Sequence, residues 1–141
     1  MKKYLLIALM LVCGITFATA QKQAEIKFDK TSHNFGSYKV VAEKNSIVSF
    51  TNGEPAIIAC VFTFTNVGEM PLVINQAVAS CGCTVPEYTK TPIKPGEKGE
   101  IKVTYNGTGK FPAHFKKTIT VRTNGNPEIT KLYIEGDMQV E

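Results

Sequence analysis

Two cysteines separated by a single glycine are the residues of this sequence whose type and spacing could do chemistry. Cys81, Gly82 and Cys83 directly follow a segment with strand character, at a point where a loop is expected. A disulfide between the cysteines would close a very tight ring, which glycine permits because it adopts backbone angles that other residues avoid. Two thiolates could instead bind copper(I) or zinc, or an exposed thiolate could exchange with other disulfides. The residues alone leave these three chemistries open.

Metal binding would need ligands that the pair does not supply. A closed zinc site has four ligands, so further side chains would have to join Cys81 and Cys83. Residues of suitable type stand at scattered positions, with no histidine next to the pair: His33, His114, Met70 and Cys60. Cys81 and Cys83 are therefore candidate redox or metal-binding residues, and we expect no cofactor.

The cysteine count limits which disulfide can form. The sequence has four cysteines, and Cys13 lies in an apolar N-terminal run that we interpret below as part of a cleaved leader. The remaining three, Cys60, Cys81 and Cys83, can form one internal disulfide at most. Cys60 shares its face of a predicted strand with two phenylalanines, and free cysteine behaves as a small apolar core residue. We expect Cys60 to pack inside the fold. A bond from Cys60 to Cys81 or Cys83, closing a loop of about 21–23 residues, is the alternative.

The N-terminal segment predicts export. Two lysines precede an almost wholly apolar run at 4–17, and Ala18-Thr19-Ala20 matches the small-x-small pattern cut by signal peptidase. We interpret residues 1–20 as a signal peptide cleaved after Ala20, and 21–141 as one domain. The mature chain has no apolar run near the about 20 residues that span a membrane. We expect it in the periplasm or cell envelope, or outside the cell, where a disulfide can persist.

Short segments of two-residue period, separated by Gly, Pro and Asn, make up the mature chain. Period two gives a strand one buried and one solvated face. We predict strands at 25–28 (continued after a break at 32–35), 46–50, 57–65, 72–78, 101–105, 115–123 and 129–138. Asn52-Gly53 is a hairpin dipeptide expected to join 46–50 to 57–65. Seven to eight short strands with frequent turns predict an all-β sandwich.

Alternation also identifies a candidate core. One face of the predicted strand 57–65 carries four apolar residues: Ile58, Cys60, Phe62 and Phe64. Opposing candidates are Leu72, Ile74, Ile101, Val103, Ile119, Val121, Leu132 and Ile134. Three further residues are expected to cover an edge: Ile26, Phe28 and Phe35. Positions of opposite phase should be solvated, including Lys102, Thr118, Thr120 and Arg122.

Composition and motifs argue against nucleic-acid binding and catalysis. The formal charge of +4 falls to +2 once the two N-terminal lysines are removed, and the basic residues are scattered. The sequence has no G-x-S-x-G elbow and no H-E-x-x-H motif. Its two aspartates, Asp29 and Asp137, lie in or beside predicted strands and do not suggest a carboxylate pair. We therefore predict no enzymatic activity and no nucleic-acid partner.

Several short motifs together cover most of 28–136, and they include Phe28-Asp29-Lys30-Thr31, His33-Asn34-Phe35-Gly36, Phe62-Thr63-Phe64-Thr65-Asn66-Val67-Gly68, Pro71-Leu72-Val73-Ile74, Ser80-Cys81-Gly82-Cys83-Thr84 and Ile93-Lys94-Pro95-Gly96. Assembled, these motifs resemble a family of small exported bacterial proteins, the domain of unknown function 1573. The family is similar to ASH and major-sperm-protein domains. The resemblance implies an immunoglobulin-like antiparallel β-sandwich of seven to eight strands and an exported location.

The chain departs from the family pattern in two places. Residues 37–56 form a longer link than usual, which we interpret as an extra hairpin or an elongated edge. Cys60 does not belong to the pattern. Its absence from the pattern favours chemistry of Cys81 and Cys83 that does not need Cys60. The resemblance supplies no activity, and ASH-like relatives mostly bind other proteins.

Two functions follow as expectations. The first is a non-enzymatic interaction or structural module of the cell envelope, whose partner is another envelope protein bound at an edge strand. The alternative is a thiol-based copper(I)-binding or redox-active protein that uses the Cys-Gly-Cys loop.

Overall fold

The computed structural model describes residues 21–42, 48–51 and 54–141, which form strands and loops. The strands in chain order are β1 (Ile26–Phe28), β2 (Ser32–Ala42), β3 (Val48–Thr51), β4 (Glu54–Pro55), β5 (Ile57–Asn66), β6 (Ile74–Ala79), β7 (Thr84–Tyr88), β8 (Lys98–Asn106), β9 (His114–Thr123) and β10 (Ile129–Val140). Over these ranges there is no helix of the length and apolar character needed to cross a membrane. The expected leader at 1–20, its cleavage after Ala20 and the Asn52-Gly53 dipeptide lie outside the described residues.

The strands form two sheets that enclose one core. The four-stranded sheet has the order β1-β5-β8-β7, and the six-stranded sheet has the order β4-β3-β2-β10-β9-β6. Both sheets bury the residues of one alternation phase and expose those of the other, as on β8, whose burial alternates along its length. The predicted all-β sandwich is confirmed.

Two details of the predicted sandwich are wrong. The described residues contain ten strands rather than seven to eight, because the two-residue β4 and the proline-containing β7 give a weak period-two signal. The sandwich is also not wholly antiparallel, since β10 pairs with β2 in parallel, with Tyr133 opposite Ser32 and Val140 opposite Val40. Period two reports which face is buried and not the direction of the neighbouring strand.

The sequence predicted one interrupted strand at the N-terminus, but β1 and β2 belong to different sheets. β1 pairs with β5 in the four-stranded sheet, while β2 pairs with β10 in the six-stranded sheet. β3 pairs with β2 and β4. The expected pairing of 46–50 with 57–65 is therefore wrong, and the long link after Gly36 elongates β2 and adds the short β3 and β4 to the edge of the six-stranded sheet.

The predicted core is confirmed, with Ile58 only partly buried. Phe62 and Phe64 are fully buried, and Cys60 packs beside them. All eight opposing candidates are also buried: Leu72, Ile74, Ile101, Val103, Ile119, Val121, Leu132 and Ile134. Burying side chains of this size contributes about 1.5–3 kcal/mol each, so this core is the main stabilising element of the fold.

A buried asparagine at the end of β5 ties three chain segments together. The side chain of Asn66 is fully buried and donates from Nδ2 to the carbonyls of Met70 (2.8 Å) and Ile93 (2.9 Å). Its Oδ1 accepts from the N–H groups of Gly68 (3.0 Å) and Glu25 (3.4 Å). The amide thus uses both donors and both acceptor positions, which is what a buried polar group requires.

Candidate functional site

The Cys81-Gly82-Cys83 turn lies where the chain passes from one sheet to the other. It connects β6, at an edge of the six-stranded sheet, with β7, at an edge of the four-stranded sheet. The sulfur atoms of Cys81 and Cys83 lie at disulfide distance, and their Cα atoms are 5.4 Å apart. Gly82 is exposed, with open space where a Cβ would stand. Of the three chemistries open to this pair, the geometry fits the disulfide.

Backbone hydrogen bonds hold the turn on both sides. The Thr84 N–H donates to the Cys81 carbonyl (3.2 Å), and the Asn106 N–H donates to the Cys83 carbonyl (2.8 Å). Thr84 is buried, and its hydroxyl contacts the Cys81 Sγ at 3.7 Å. Reducing or replacing these cysteines would therefore first perturb the structure of the adjoining ends of β6 and β7.

The structure does not gather the additional metal ligands that the sequence offered. Met70 lies in the connection after Asn66, at the end of β5 where Thr65 faces Lys98. The cysteine turn lies at the opposite end, beside Asn106. Over 21–42, 48–51 and 54–141, no group of three or more His, Cys, Asp or Glu side chains could hold a metal ion.

Cys60 is a core residue, as the sequence predicts. Its thiol is free and only 8% of the residue is exposed. Burial raises the pKa of this thiol to about 11. Because the thiolate is the nucleophile and metal ligand, the neutral Cys60 thiol is unreactive near pH 7.

Replacing Cys60 by alanine should remove part of the alkaline pH dependence of stability. Between the ordinary thiol pKa of 9.0 and about 11, the unfolded chain loses the Cys60 proton while the native protein keeps it. The free energy of unfolding therefore falls as pH rises through this window, and the contribution is fully present below pH 9. Urea unfolding followed by circular dichroism from pH 8 to 11 should show a shallower decline for Cys60→Ala. Parallel curves for the two proteins would contradict this expectation.

The edges of the two sheets differ in how well they are protected. Exposed edges can pair with foreign strands, and proteins blunt them with short length, charge or proline. β1 has three residues and includes Lys27, while β4 has two and includes Pro55. β7 contains Pro86 and Glu87. β6 has six residues, Ile-Asn-Gln-Ala-Val-Ala, with neither charge nor proline.

The hydrogen-bond alternation shows which β6 groups are free. The Ser80 N–H donates to the Thr118 carbonyl (2.9 Å), so residues of the same phase, Gln76 and Val78, bond to β9. The N–H and C=O groups of Ala77 and Ala79 point away from β9, and in the described part of the chain no strand is hydrogen-bonded to them. On β7 the same reasoning places the nitrogen of Pro86, which has no hydrogen, at the free edge. β6 is therefore the edge equipped to accept a strand.

An open groove lies on the outer face of the six-stranded sheet beside this edge. Its volume is about 580 Å³, and β6, β9 and β10 supply its lining: Gln76, Val78, Ala79, Ser80, Thr118, Thr120, Arg122 and Lys131. Among the residues that the structure describes, Arg122 and Lys131 are the charged residues of the lining, and no carboxylate lines it. In the described ranges, neither cation forms an ion pair.

The sequence predicted that residues lining this groove face outward, but it did not predict the groove itself. Arg122 and Thr120 were correctly predicted to face outward, but as ordinary solvated positions. The available signal was the absence of charge and proline from residues 74–79, which marks an unprotected edge only if the strand lies at an edge. That position depends on the tertiary structure.

Comparisons with known proteins agree on the fold. A model of the family described as protein of unknown function (DUF1573) matches residues 26–138. A search of the curated proteins finds no match.

Solved structures include a protein of unknown function from Porphyromonas gingivalis W83, with a TM-score of 0.61, 15% identity, and coverage of 88% of this chain and 51% of that chain. The ASH/PapD-like domain 7 of human CEP192 has a TM-score of 0.60 at 7% identity, covering 90% of this chain and 94% of that chain. The YadV chaperone has a TM-score of 0.53 at 14% identity, covering 82% and 52%. This chain thus spans about half the length of the Porphyromonas protein. At these identities the likenesses show the fold alone, an immunoglobulin-like sandwich of the ASH/PapD type.

Proposed function

This chain belongs to the DUF1573 family of proteins of unknown function, and from that premise we propose that it is an exported, non-enzymatic module that binds an extended segment of another envelope protein as an added strand on β6. The observation that carries the proposal is the uncharged, proline-free edge of β6, where Ala77 and Ala79 present backbone groups without partners in the described residues. An added strand would satisfy these groups, and main-chain hydrogen bonds of this kind supply affinity in strand addition.

The side chains of β6 leave room for such a strand. Ala77 and Ala79 face inward and pack against the core, and they are small. Gln76, Val78 and Ser80 face the groove on the outer side. A partner strand would therefore place alternate side chains toward the core and toward the groove.

The cysteine turn has a supporting role in this proposal. Cys81 follows two residues after Ala79, and a disulfide to Cys83 fixes the end of β6 beside β7. A ring this small removes less entropy from the unfolded chain than a long loop does, so local positioning is its larger contribution. The copper(I) alternative requires two free thiolates, which a bonded pair does not offer, so it applies to the reduced protein alone.

The neighbouring structures are compatible with binding. The YadV protein is a chaperone, and the CEP192 segment is an ASH/PapD-like domain. Their similarity to this chain extends to the fold, so they support a binding module without indicating its partner.

Ala77→Pro should abolish partner binding without unfolding the protein. Proline removes a donor at the free edge and breaks no bond to β9, because the Ala77 N–H points away from that strand. The full chain would be expressed with a photo-crosslinking residue at Gln76. The adduct formed with an envelope protein should fall at least about tenfold in Ala77→Pro, since the lost main-chain hydrogen bond leaves a buried partner carbonyl unpaired.

The matched control is Ala77→Ser, which keeps the N–H and should keep the adduct. A crosslinking residue at Glu87 on β7 controls for proximity. Amide hydrogen exchange completes the test, because Ala77 and Ala79 should exchange rapidly in the free protein and become protected in the complex. An adduct that survives Ala77→Pro, or unchanged exchange at these two amides, would refute strand addition on β6.

A further inference from the structure

We infer that the strand accepted by β6 is acidic on alternate positions, with carboxylates facing the groove and apolar residues facing the core. This inference rests on the proposed function and adds the chemistry of the partner. It derives from the distribution of charge across the outer face of the six-stranded sheet.

The carboxylates of this face contact basic side chains far from β6, whereas the cations near β6 contact no carboxylate in the described part of the chain. At the end of β9 that contains His114, the His114 Nδ1 lies 3.0 Å from the Asp137 carboxylate, and Lys116 Nζ lies 3.6 Å from that of Glu135. Toward β6 the face carries Arg122 and Lys131 without a carboxylate partner among the described residues. The groove therefore has an uncompensated positive potential where a partner strand would lie.

The spacing between strands predicts which of the two cations contributes more to binding the added strand. Neighbouring strands lie about 4.8 Å apart, so a strand added to β6 would run about 10 Å from β9 and about 14 Å from β10. Arg122 faces Gln76 across the β6–β9 ladder, and a long Arg and a Glu side chain can meet over that distance. Lys131 lies opposite Thr120, one strand farther, and acts mainly through a field that salt screens over about 8–10 Å. Arg122 should therefore contribute more than Lys131.

The inward positions require the opposite chemistry. Side chains of the added strand that point inward would continue the row of Ala77 and Ala79 and lie beside the inner face of β7. Pro86 and Tyr88 present partly buried surface there. A charge at these positions would be desolvated without a partner, so apolar residues fit.

A second copy of this chain does not supply this chemistry. Its β6 contains no acidic residue. Edge-to-edge pairing of two β6 strands would also bring two cationic grooves together, which is unfavourable. The acidic partner is accordingly a different segment.

The test uses the purified full-length product and three blocked eight-residue peptides that alternate valine with glutamate, glutamine or lysine. Fluorescence anisotropy would measure the dissociation constants at 50 mM and 500 mM salt. We expect the Glu/Val peptide to bind about tenfold more tightly than the Gln/Val peptide at low salt, and this advantage to shrink at high salt. Arg122→Gln should weaken Glu/Val binding about threefold to fivefold and Lys131→Gln about twofold, as for partly exposed charge contacts.

Lys102→Gln, on the outer face of the other sheet, is the control and should change binding less than about twofold. Equal binding of the Glu/Val and Gln/Val peptides, or unchanged binding by Arg122→Gln, would overturn the acidic chemistry, while loss of binding in Ala77→Pro would still support strand addition. Glu/Val binding that survives Ala77→Pro would reveal unspecific anion attraction and overturn both proposals. A β6-dependent dimer in sedimentation that excludes the peptides would identify a second copy as the occupant and overturn the inference.

Discussion

Replacing Asn66 by alanine should lower the free energy of unfolding by about 3–5 kcal/mol. The substitution removes the side-chain partners of the Met70 and Ile93 carbonyls and of the Gly68 and Glu25 N–H groups. Because Asn66 is fully buried, water cannot readily replace the lost amide. Urea unfolding monitored by circular dichroism would measure the loss.

Asn124→Ala is the matched control for that experiment. Asn124 also makes two side-chain hydrogen bonds to backbone, accepting from the Val73 N–H (2.8 Å) and donating to the Pro71 carbonyl (3.1 Å). These bonds are exposed, so water substitutes for them and the cost should be about 1 kcal/mol or less. Equal losses for the two variants would show that burial of the Asn66 network does not determine its contribution.

Gly99→Ala should destabilise the protein by about 2–3 kcal/mol through overpacking. Gly99 lies directly opposite Phe64 on the neighbouring strand, and the phenyl ring covers the position of the missing side chain. An added Cβ would lie 2.8 Å from Phe64 Cε2 and closer still to Cζ. Phe64 is fully buried, so its ring has no free space into which it can turn.

A double-mutant cycle isolates this contact. Phe64→Ala alone should cost about 3–5 kcal/mol. Adding Gly99→Ala to Phe64→Ala should cost little more, because the ring that the methyl group meets is gone, and the coupling energy should be about 2 kcal/mol. Gly82→Ala is the control, since no described atom outside residues 81–83 lies within 4 Å of the position of its added Cβ. Additive losses would show that Phe64 is not what excludes a side chain at Gly99.

Several residues of the family motif have structural explanations. Asn66 satisfies four backbone groups, and a Cβ on Gly68 would collide with the backbone of residues 23–25. Phe62 and Phe64 fill the core. The Cys-Gly-Cys segment differs, because it lies at a partly exposed corner beside an unprotected edge rather than in the core. This exposed position fits the supporting role of the cysteine turn at the end of β6.

The amino-acid sequence by itself determined much of the buried core, although buried aromatic residues such as Tyr105 and Phe115 were not predicted. Alternation of apolar and polar residues placed Cys60, Phe62 and Ile119 in the core and Lys102 and Arg122 outside, because each choice depends on local period and on the free energy of burying that side chain. The sequence also indicated the two cysteines separated by Gly82 as a candidate site, without deciding among a disulfide, a metal site and thiol exchange. The sequence did not predict β7, where Pro86 weakens the strand signal.

Only the tertiary structure decided which strand lies at an edge and which neighbours it has. Three features depend on contacts between distant segments: the parallel pairing of β2 with β10, the free edge of β6, and the position of Arg122 and Lys131 along one groove. Strand pairing uses backbone N–H and C=O groups that every residue except proline carries, so side-chain identity constrains it weakly. The proposed site depends on nonlocal packing, which among the described residues leaves one edge of the uncharged β6 without a hydrogen-bonded neighbour, beside two cations that form no ion pair.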